Sequence, residues 1–372
     1  MPLLSVIMPV YNGARFLQKT LDSLLAQTCA DWELIVVDDG STDATPDLLA
    51  AYTDRRFKKI RKANGGEAQT RNVGLRHATG EFIAFLDADD LYLPNALADM
   101  SAYLIAHPEF DALFSDGYLC DENERILSRL TEHRSGIYTG NILEQIVLSS
   151  DVITVPVCTL THRAIIQQHQ VEFDEQLVIG PDWDFWIRLA RYARFGYLDK
   201  PTCLYRVHLT NITRTSGAQK RQKDLLHGRL KVLNADWFPE LSLPTRQKFF
   251  YSVLIDLLAG QTAQQQEIFS HSQFEALPRP DRASLLRQVG TTDLLNGITP
   301  DFAVQCLQQA STLNPADRKS QSLLTIQRTI GLPTTVAVLR AWQQLHRGMK
   351  QIRSVGQRRA RPVPSSLGPV GS

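Results

Sequence analysis

The sequence predicts an α/β fold in which helices flank a mainly parallel sheet, followed by an α-helical C-terminal region. In the first half of the chain, short apolar runs rich in β-branched residues alternate with segments whose apolar residues recur at helical spacing. Strands that alternate with helices form parallel sheets that are covered on their faces. After about Arg214 the strand signals fade and helix formers dominate, which indicates a separate helical region.

The elements of the first half follow one another in a regular order. Strands are predicted at residues 3–8, 33–37, 57–61 and 81–86, with helices between them at residues 14–26, 43–52 and 67–77. Beyond Leu97 the pattern mixes, with predicted strands at 111–119, 126–129 and 157–161 and a helix at 182–192. Residues 195–198 and 203–207 are predicted as two late antiparallel strands at the edge of the sheet.

The chain of 372 residues is long enough for more than one domain. We predict an α/β domain over residues 1–215, a helical C-terminal region over residues 216–360 and a disordered tail over residues 361–372. The tail prediction rests on its proline and glycine content, which opposes a packed core.

Composition and charge narrow the function classes. The net charge of +1 creates no overall field for nucleic acid. The five cysteines are scattered without a Cys-x-x-Cys pair, which fits reduced thiols in a cytoplasmic protein better than disulfides or a zinc site. The first residues lack a leader and no apolar run is long enough to cross a bilayer, so we expect any membrane contact to be peripheral.

All charged residues from Arg340 to Arg361 are basic. Apolar residues lie near one face of this segment at helical spacing. Such a basic amphipathic segment rests on an anionic membrane surface in some proteins. The alternative is an ordinary terminal helix that packs on the helical region and exposes its basic side.

Three carboxylates crowd at the end of the apolar strand 81–86, in the segment Asp87-Ala88-Asp89-Asp90. Like charges this close repel one another, and burying them without partners is costly. A hard divalent cation held by oxygen ligands removes that cost. In open α/β sheets, ligands bind beyond the carboxyl ends of the strands, so the position agrees with the chemistry. The alternative is that these residues begin a loop and cap the helix after Pro94.

Asp38 and Asp39 end the second strand, beside the end of the first strand at Pro9, Tyr11 and Asn12. A carboxylate at that crevice accepts hydrogen bonds from a nucleobase N–H or from ribose hydroxyls. The alternative is a capped turn into the next helix.

Three basic side chains are candidates for anion or metal contacts. Arg71 lies on the predicted helix before the acidic segment, where its planar fork suits a phosphate or a base; the alternative is a solvated helix face. Arg206 and His208 share a face of the last strand if that strand is unbroken. His208 suits a metal ligand or a phosphate contact, although a lone histidine is more often structural.

Asp182 begins a predicted helix after Gly180 and Pro181, within a run that also contains Trp183, Phe185 and Trp186. Aromatic faces suit sugar rings, and a carboxylate beside them can act as a general base. The alternative is electrostatic decoration of the first turn for Asp182 and core packing for the aromatic residues.

Considered together, the motifs form an ordered set that resembles the inverting family 2 glycosyltransferases, which have the Rossmann-like GT-A fold. The resemblance covers roughly Leu3 to Thr213. The blocks that carry it are the segments 5–13, 37–43, 71–74, 80–90, 173–175 and 182–186.

The resemblance implies a nucleotide-diphospho-sugar donor, with a UDP-sugar expected, and a divalent cation, Mn²⁺ or Mg²⁺. The donor-binding residues that it implies, by position, are Pro9, Tyr11, Asn12, Asp38, Asp39, Arg71, Asp87 and Ala88. Asp89 matches the family's metal ligand, His208 a histidine that some members place near the metal, and Asp182 the general base. Trp183 and Arg206 are assigned to the acceptor side. Pro181 departs from the family pattern, because a glutamate usually precedes that aspartate.

The implied reaction is a single inverting displacement onto a hydroxyl of a carbohydrate or lipid-linked acceptor, in polysaccharide, glycan or glycolipid synthesis. The implied location is the cytoplasm or the inner face of the membrane. A sugar nucleotidyltransferase and a non-catalytic nucleotide- or sugar-binding scaffold remain as alternatives. A further alternative is that the helical region binds a partner protein.

Overall fold

The computed structural model describes residues 1–209, 211, 217–260, 269–296, 300–327, 335–337 and 339–340. The predicted tail 361–372 and the basic segment after Arg340 lie outside these residues. Internal contacts divide the chain into two compact units, Met1–Phe249 and Phe250–Ser372. The helix after residue 217 therefore belongs to the first unit, and the domain limit at residue 215 stays a prediction.

The first unit is built on one sheet of nine strands. The strands are β1 Leu4–Val10, β2 Trp32–Asp38, β3 Phe57–Arg61, β4 Phe82–Phe85, β5 Leu91–Tyr92, β6 Ala112–Cys120, β7 Ile126–Arg129, β8 Thr159–His162 and β9 Phe195–Arg206. Their order across the sheet is β3-β2-β1-β4-β8-β6-β9-β5, and β7 pairs with β6. The first four strands are parallel to one another, and β6 is parallel to β9. The predicted mainly parallel sheet is confirmed.

The prediction of two late antiparallel edge strands was wrong in their number and in their place at the edge, while an antiparallel pairing with β5 is observed. Residues 195–206 form the single strand β9, which is parallel to β6 and is covered on its other side by β5. The register shifts where Ser115 pairs with Leu198 and Asp116 with Pro201, so Asp199 and Lys200 bulge out of the ladder. This polar bulge separates two apolar runs, and for that reason the sequence pattern suggested two strands.

Helices connect the strands, and no strand occurs in the described part of the chain after Arg206. The helices of the first unit are α1 Leu17–Leu25, α2 Thr45–Ala51, α3 Glu67–His77, α4 Ala96–Ala106, α5 Leu143–Leu148, α6 Arg163–Gln168, α7 Pro181–Ala190 and α8 Ala218–Leu233. Helix α9, Leu243–Gly260, runs across the limit between the units. The second unit contains α10 Ser272–Glu275, α11 Arg279–Asn296, α12 Pro300–Leu313 and a further helical segment at 318–327. Across the described residues, no helix is long and apolar enough to cross a membrane.

The parallel part of the sheet forms a rigid platform for the polar residues that follow its strands. Every residue of β1, β2 and β4 is buried. Helix α3 packs on β1 so closely that a Cβ on Gly74 would lie 2.4 Å from Cγ2 of Ile7, so only glycine fits there. The chain order reverses beside β1, with β2 on one side and β4 on the other. Such a switch point is where open α/β sheets bind ligands.

Glu33 on β2 connects β1, β3 and the segment before β4 through hydrogen bonds and an ion pair. Its Oε1 accepts hydrogen bonds from Oγ of Ser5 at 2.6 Å and from the backbone N of Thr79 at 2.7 Å, and its Oε2 pairs with Nζ of Lys58 at 2.5 Å. Burial alone would raise the pKa of Glu33, but these donors lower that pKa to about 2. The ionised carboxylate therefore stabilises the folded state.

Glu33→Gln is expected to lower the free energy of unfolding by about 3 kcal/mol at pH 7, because it leaves buried donors without a charged acceptor. The folded pKa lies below the unfolded value of 4.5, so the wild-type advantage is complete above that value and is lost as pH falls toward about 2. Urea denaturation at pH 7 and pH 3 measures the free energy of unfolding of both proteins. Tryptophan fluorescence reports on the first unit, because four of the five tryptophans lie there. The difference between the proteins should fall by about half at pH 3.

The matched control is Glu172→Gln, a carboxylate that is 54% exposed. It should change the unfolding free energy by about 0.5 kcal/mol or less. Equal stability of wild type and Glu33→Gln at pH 7 would contradict the role of Glu33.

Candidate active site

A buried arginine links the acidic segment after β4 to the first turn of α3. Nη2 of Arg71 lies 2.6 Å from Oδ1 of Asp87, and its Nη1 lies 2.6 Å from Oε1 of Glu67. The Arg71 side chain is only 2% exposed, and its guanidinium lies 5.3 Å from the ring centre of Phe173. The interpretation of Arg71 as part of a solvated helix face was therefore wrong. The arginine supplies a positive charge inside the acidic group.

The charges in this region act strongly on one another. Burial raises the pKa of Glu67 to about 7, against the lowering effect of Arg71, and the negative charges of Asp87, Asp182 and Asp89 add to the increase. Burial likewise raises the pKa of Asp87; Arg71 opposes this shift, while Asp89 and Asp182 add to it. The charge of Asp182 acts on both Glu67 and Asp87, so Asp182 belongs to the same acidic group. In the chain it lies 95 residues beyond Asp87.

Glu67 is a site residue that the sequence reasoning missed. It lies in the first turn of α3 directly after Gly65 and Gly66, and four residues before Arg71. A glutamate there has two ordinary roles, since it suits the positive end of the helix and forms an i,i+4 pair with an arginine. The sequence does place Glu67 and Arg71 on the same face of α3, four residues apart. This spacing indicates a site residue only once Arg71 is known to be buried.

The structure brings together the two residues predicted as metal ligands. Oδ2 of Asp89 lies 2.9 Å from Nε2 of His208. The histidine is buried, with its ring centre 4.8 Å from that of Phe16, whereas Asp89 is 31% exposed. Among the described residues, no group of three or more His, Cys, Asp or Glu side chains could hold a metal ion.

Arg206 shapes the turn that carries Asp89. Its backbone N donates to Oδ1 of Asp90 at 2.9 Å, and its Nε donates to the carbonyl of Asp89 at 2.8 Å. Burial raises the pKa of Asp90 well above its ordinary value, and the charges of Asp89 and Asp87 act in the same direction. The acceptor-side role of Arg206 stays a prediction. In the structure, Arg206 holds the turn that contains Asp89 and Asp90.

The two aspartates after β2 have different contacts. Oδ1 of Asp38 accepts the backbone N of Ser41 at 2.8 Å, which is the capped turn considered as an alternative. Asp39 is buried, and its carboxylate accepts the backbone N of Gly65 at 2.9 Å and that of Gly66 at 2.8 Å. Asp39 thus fixes the loop that leads into α3.

The end of β1 and the residues after it lie beside the ends of β2 and β4. Pro9 is buried within β1, whereas Tyr11 is 52% exposed. Asn12 adopts a positive φ of 50°, and its Oδ1 accepts the backbone N of Thr42 at 2.8 Å, which joins the loops after β1 and β2. The carbonyl of Ala88 accepts a hydrogen bond from Oγ1 of Thr20 at 3.0 Å. The predicted donor-binding residues thus come from the ends of three neighbouring strands and from α3, and their roles stay predictions.

Helix α7 presents Asp182 in its first turn. Gly180 has a left-handed φ of 78°, and Pro181 follows at the first helical position, a combination that starts the helix sharply. Oδ1 of Asp182 accepts the backbone N of Trp183 at 2.9 Å. The Trp183 indole is 8% exposed and donates to the carbonyl of Ile146 at 2.7 Å, so core packing describes its contacts. Its acceptor-side role stays a prediction.

Comparisons with known proteins point to one family. The family model described as glycosyl transferase family 2 matches residues 5–169. An uncharacterized glycosyltransferase of Rickettsia prowazekii is 30% identical over 243 residues, which are 63% of this chain and 74% of the relative. Its counterpart in Rickettsia typhi is 31% identical over 240 residues, which are 62% of this chain and 73% of that protein.

Solved structures show the same fold. The crystal structure of S. aureus TarS 1-349 in complex with UDP-GlcNAc superposes with a TM-score of 0.55 at 21% sequence identity. The match covers 92% of this chain and 91% of the TarS chain. This likeness confirms the GT-A type of α/β fold.

Proposed function

The chain belongs to glycosyltransferase family 2, and from this membership we propose that it moves a sugar from a nucleotide-diphospho-sugar to an acceptor hydroxyl, with inversion at the anomeric carbon. The observation that carries the proposal is the ion pair between the buried Arg71 and Asp87, a carboxylate whose pKa is raised by burial and also by the charges of Asp89 and Asp182. Asp87 and Asp89 follow the carboxyl end of β4, at the switch point of the sheet.

Donor binding is assigned to the crevice between the ends of β1, β2 and β4. Tyr11 offers an exposed ring beside it. Asp39 and Arg71 are assigned to the nucleoside side by the family pattern, and their contacts in the structure are with the backbone of Gly65 and Gly66 and with the carboxylates of Glu67 and Asp87. Asp87, held by Arg71 and 22% exposed, suits the ribose hydroxyls. A UDP-sugar is the proposed donor, in line with the UDP-GlcNAc bound by TarS, which shares the fold.

A divalent cation, Mn²⁺ or Mg²⁺, fits the pair formed by Asp89 and His208. One carboxylate oxygen and one imidazole nitrogen, 2.9 Å apart, are few ligands, but such cations commonly complete their shell with water and substrate phosphates. When bound, the cation would neutralise charge on the departing diphosphate. Arg206 supports this position, because it holds the carbonyl of Asp89 and the carboxylate of Asp90.

Asp182 is the proposed general base. Its carboxylate takes the proton of the acceptor hydroxyl while the hydroxyl oxygen forms a bond to the anomeric carbon. The bond from that carbon to the diphosphate oxygen breaks in the same step, and the nucleoside diphosphate leaves from the opposite face. The fixed start of α7 and the platform under Asp87 align the two reactants.

The acceptor is proposed to be a carbohydrate or a lipid-linked sugar. We also propose that the basic segment that begins at Arg340 makes a peripheral contact with the inner face of the membrane. Most of this segment lies outside the described residues. The family match does not favour the sugar nucleotidyltransferase. The scaffold alternative is opposed by the ionisable groups that the site retains.

Incubation of the protein with a panel of UDP-, GDP- and dTDP-sugars, with and without Mn²⁺, tests the proposal. We expect one nucleotide class to raise the melting temperature by several degrees, since a ligand at 100 times its Kd adds about 2.7 kcal/mol. The same donor should release its nucleoside diphosphate, and NMR of the glycoside should show the inverted anomer. Diphosphate release from a nucleoside triphosphate would instead favour a nucleotidyltransferase, and donor binding without turnover would favour a scaffold.

A further inference from the structure

We propose that helix α8, Ala218–Leu233, is a positioning element for the proposed base, with Asp224 and Lys231 as its positioning residues. The inference rests on the proposed function of Asp182. Helix α8 lies beyond residues 5–169, which the family model matches, and beyond the predicted domain limit at residue 215. It nevertheless belongs to the same compact unit as the sheet.

The first contact of α8 precedes the start of α7. The Asp224 carboxylate is buried and accepts the backbone N of Val178 at 3.3 Å and that of Ile179 at 3.1 Å. These two residues come directly before Gly180, whose left-handed conformation turns the chain into α7. Asp224 therefore fixes the segment from which the helix of the base begins.

The second contact is made by Lys231, whose two partners precede and follow Asp182 in the sequence. Nζ of Lys231 contacts the carboxylate of Asp174 and lies 2.9 Å from Oδ1 of Asp184. Asp184 is 4% exposed and also accepts from Arg188 at 2.5 Å. Burial would raise the pKa of Asp174, but the donation from Lys231 and from the backbone lowers it, in agreement with an ionised pair. Lys231 thus connects the loop before α7 to its first turn.

The third contact is made by a residue without a side chain. A Cβ on Gly228 would lie 3.4 Å from Cζ3 of Trp183, so the backbone of α8 lies against the indole that follows Asp182 in the chain. Residues 224, 228 and 231 are spaced i, i+4 and i+7 and therefore share one face of α8. One helix face thus holds the chain before and after the base.

These contacts are with the base-bearing segment rather than with the acidic turn after β4. A small displacement of a catalytic group lowers the rate of the chemical step far more than it weakens the binding of a substrate held elsewhere. We therefore expect a change in α8 to lower kcat while the KM for the donor stays the same. A general loss of folding would lower both binding and turnover.

The test compares Lys231→Ala with Lys231→Arg and with Lys223→Ala, an exposed lysine on the same helix. Lys231→Ala should lower kcat by about 10- to 100-fold, with the KM for the donor and the donor-induced thermal shift within about twofold of wild type. Lys231→Arg should recover most of the activity, because arginine keeps the charge and can reach both carboxylates. Lys223→Ala should behave as wild type.

Asp224→Ala provides a second route to the same conclusion, since it removes the acceptor for Val178 and Ile179 without touching Lys231. It should give the same split between kcat and KM. Normal kcat in both Lys231→Ala and Asp224→Ala would overturn the positioning role, and so would a parallel loss of donor binding and turnover. Failure of the proposed function is distinguishable, because it would appear as normal turnover in Asp182→Asn.

Discussion

Asp182→Asn is expected to abolish sugar transfer while donor binding persists. The amide has nearly the shape of the carboxylate and can still accept the backbone N of Trp183, so α7 should start as before. It cannot take the proton of the acceptor hydroxyl, and the loss of a general base typically costs about 100- to 10,000-fold in rate. Single-turnover transfer from the donor found in the panel measures kcat, and the donor-induced thermal shift measures binding.

Asp151→Asn is a suitable control for this substitution. Asp151 is an exposed aspartate in the same unit, and its replacement also removes one negative charge. Its kcat should stay within about twofold of wild type, in keeping with the small effects of surface substitutions. Near-normal turnover in Asp182→Asn would refute the base assignment. Loss of donor binding in that variant would place Asp182 on the donor side instead.

The parallel part of the fold could be predicted because its sequence signals are local. Helix α3 begins and ends as predicted, at Glu67 and His77, and β1, β2 and β4 are mainly apolar runs whose residues are all buried. The position of Asp87 and Asp89 at the end of β4 followed from the same pattern. Where a short element depends on its partners, as β5 does on β9, the sequence carried no usable signal.

The parts of the site that escaped prediction depend on partners far away in the chain. Arg71 looked like a surface residue because its carboxylate partner Asp87 comes 16 residues later. The hydrogen bond from the Trp183 indole to the carbonyl of Ile146, 37 residues earlier, could not be read from the sequence either. Lys231 was not singled out from the sequence, because its partner Asp174 lies 57 residues earlier. Spacing along the chain does not encode such ion pairs and hydrogen bonds, whose energy depends on burial.

Chelation of divalent cations is expected to remove sugar transfer, and Asp89→Asn is expected to reduce it by about 100-fold or more even with excess Mn²⁺. Asp89 is the exposed member of the pair with His208, so it can face a cation that also binds the donor's diphosphate. The amide keeps one oxygen but loses the charge that attracts the cation. Activity after EDTA treatment, and after Mn²⁺ or Mg²⁺ is restored, measures the requirement.

His208→Ala separates the metal role from a purely structural one. If the imidazole helps to hold the cation, the variant should need about ten times more Mn²⁺ for half-maximal activity and should approach wild-type kcat when the metal saturates, since losing one ligand weakens binding without removing the carboxylate. The Mn²⁺ dependence of the donor-induced thermal shift gives a second measure that does not depend on turnover. Full activity in EDTA would refute metal dependence. A low kcat that Mn²⁺ does not restore, in a variant that still binds donor, would mean that His208 acts by holding Asp89 in place.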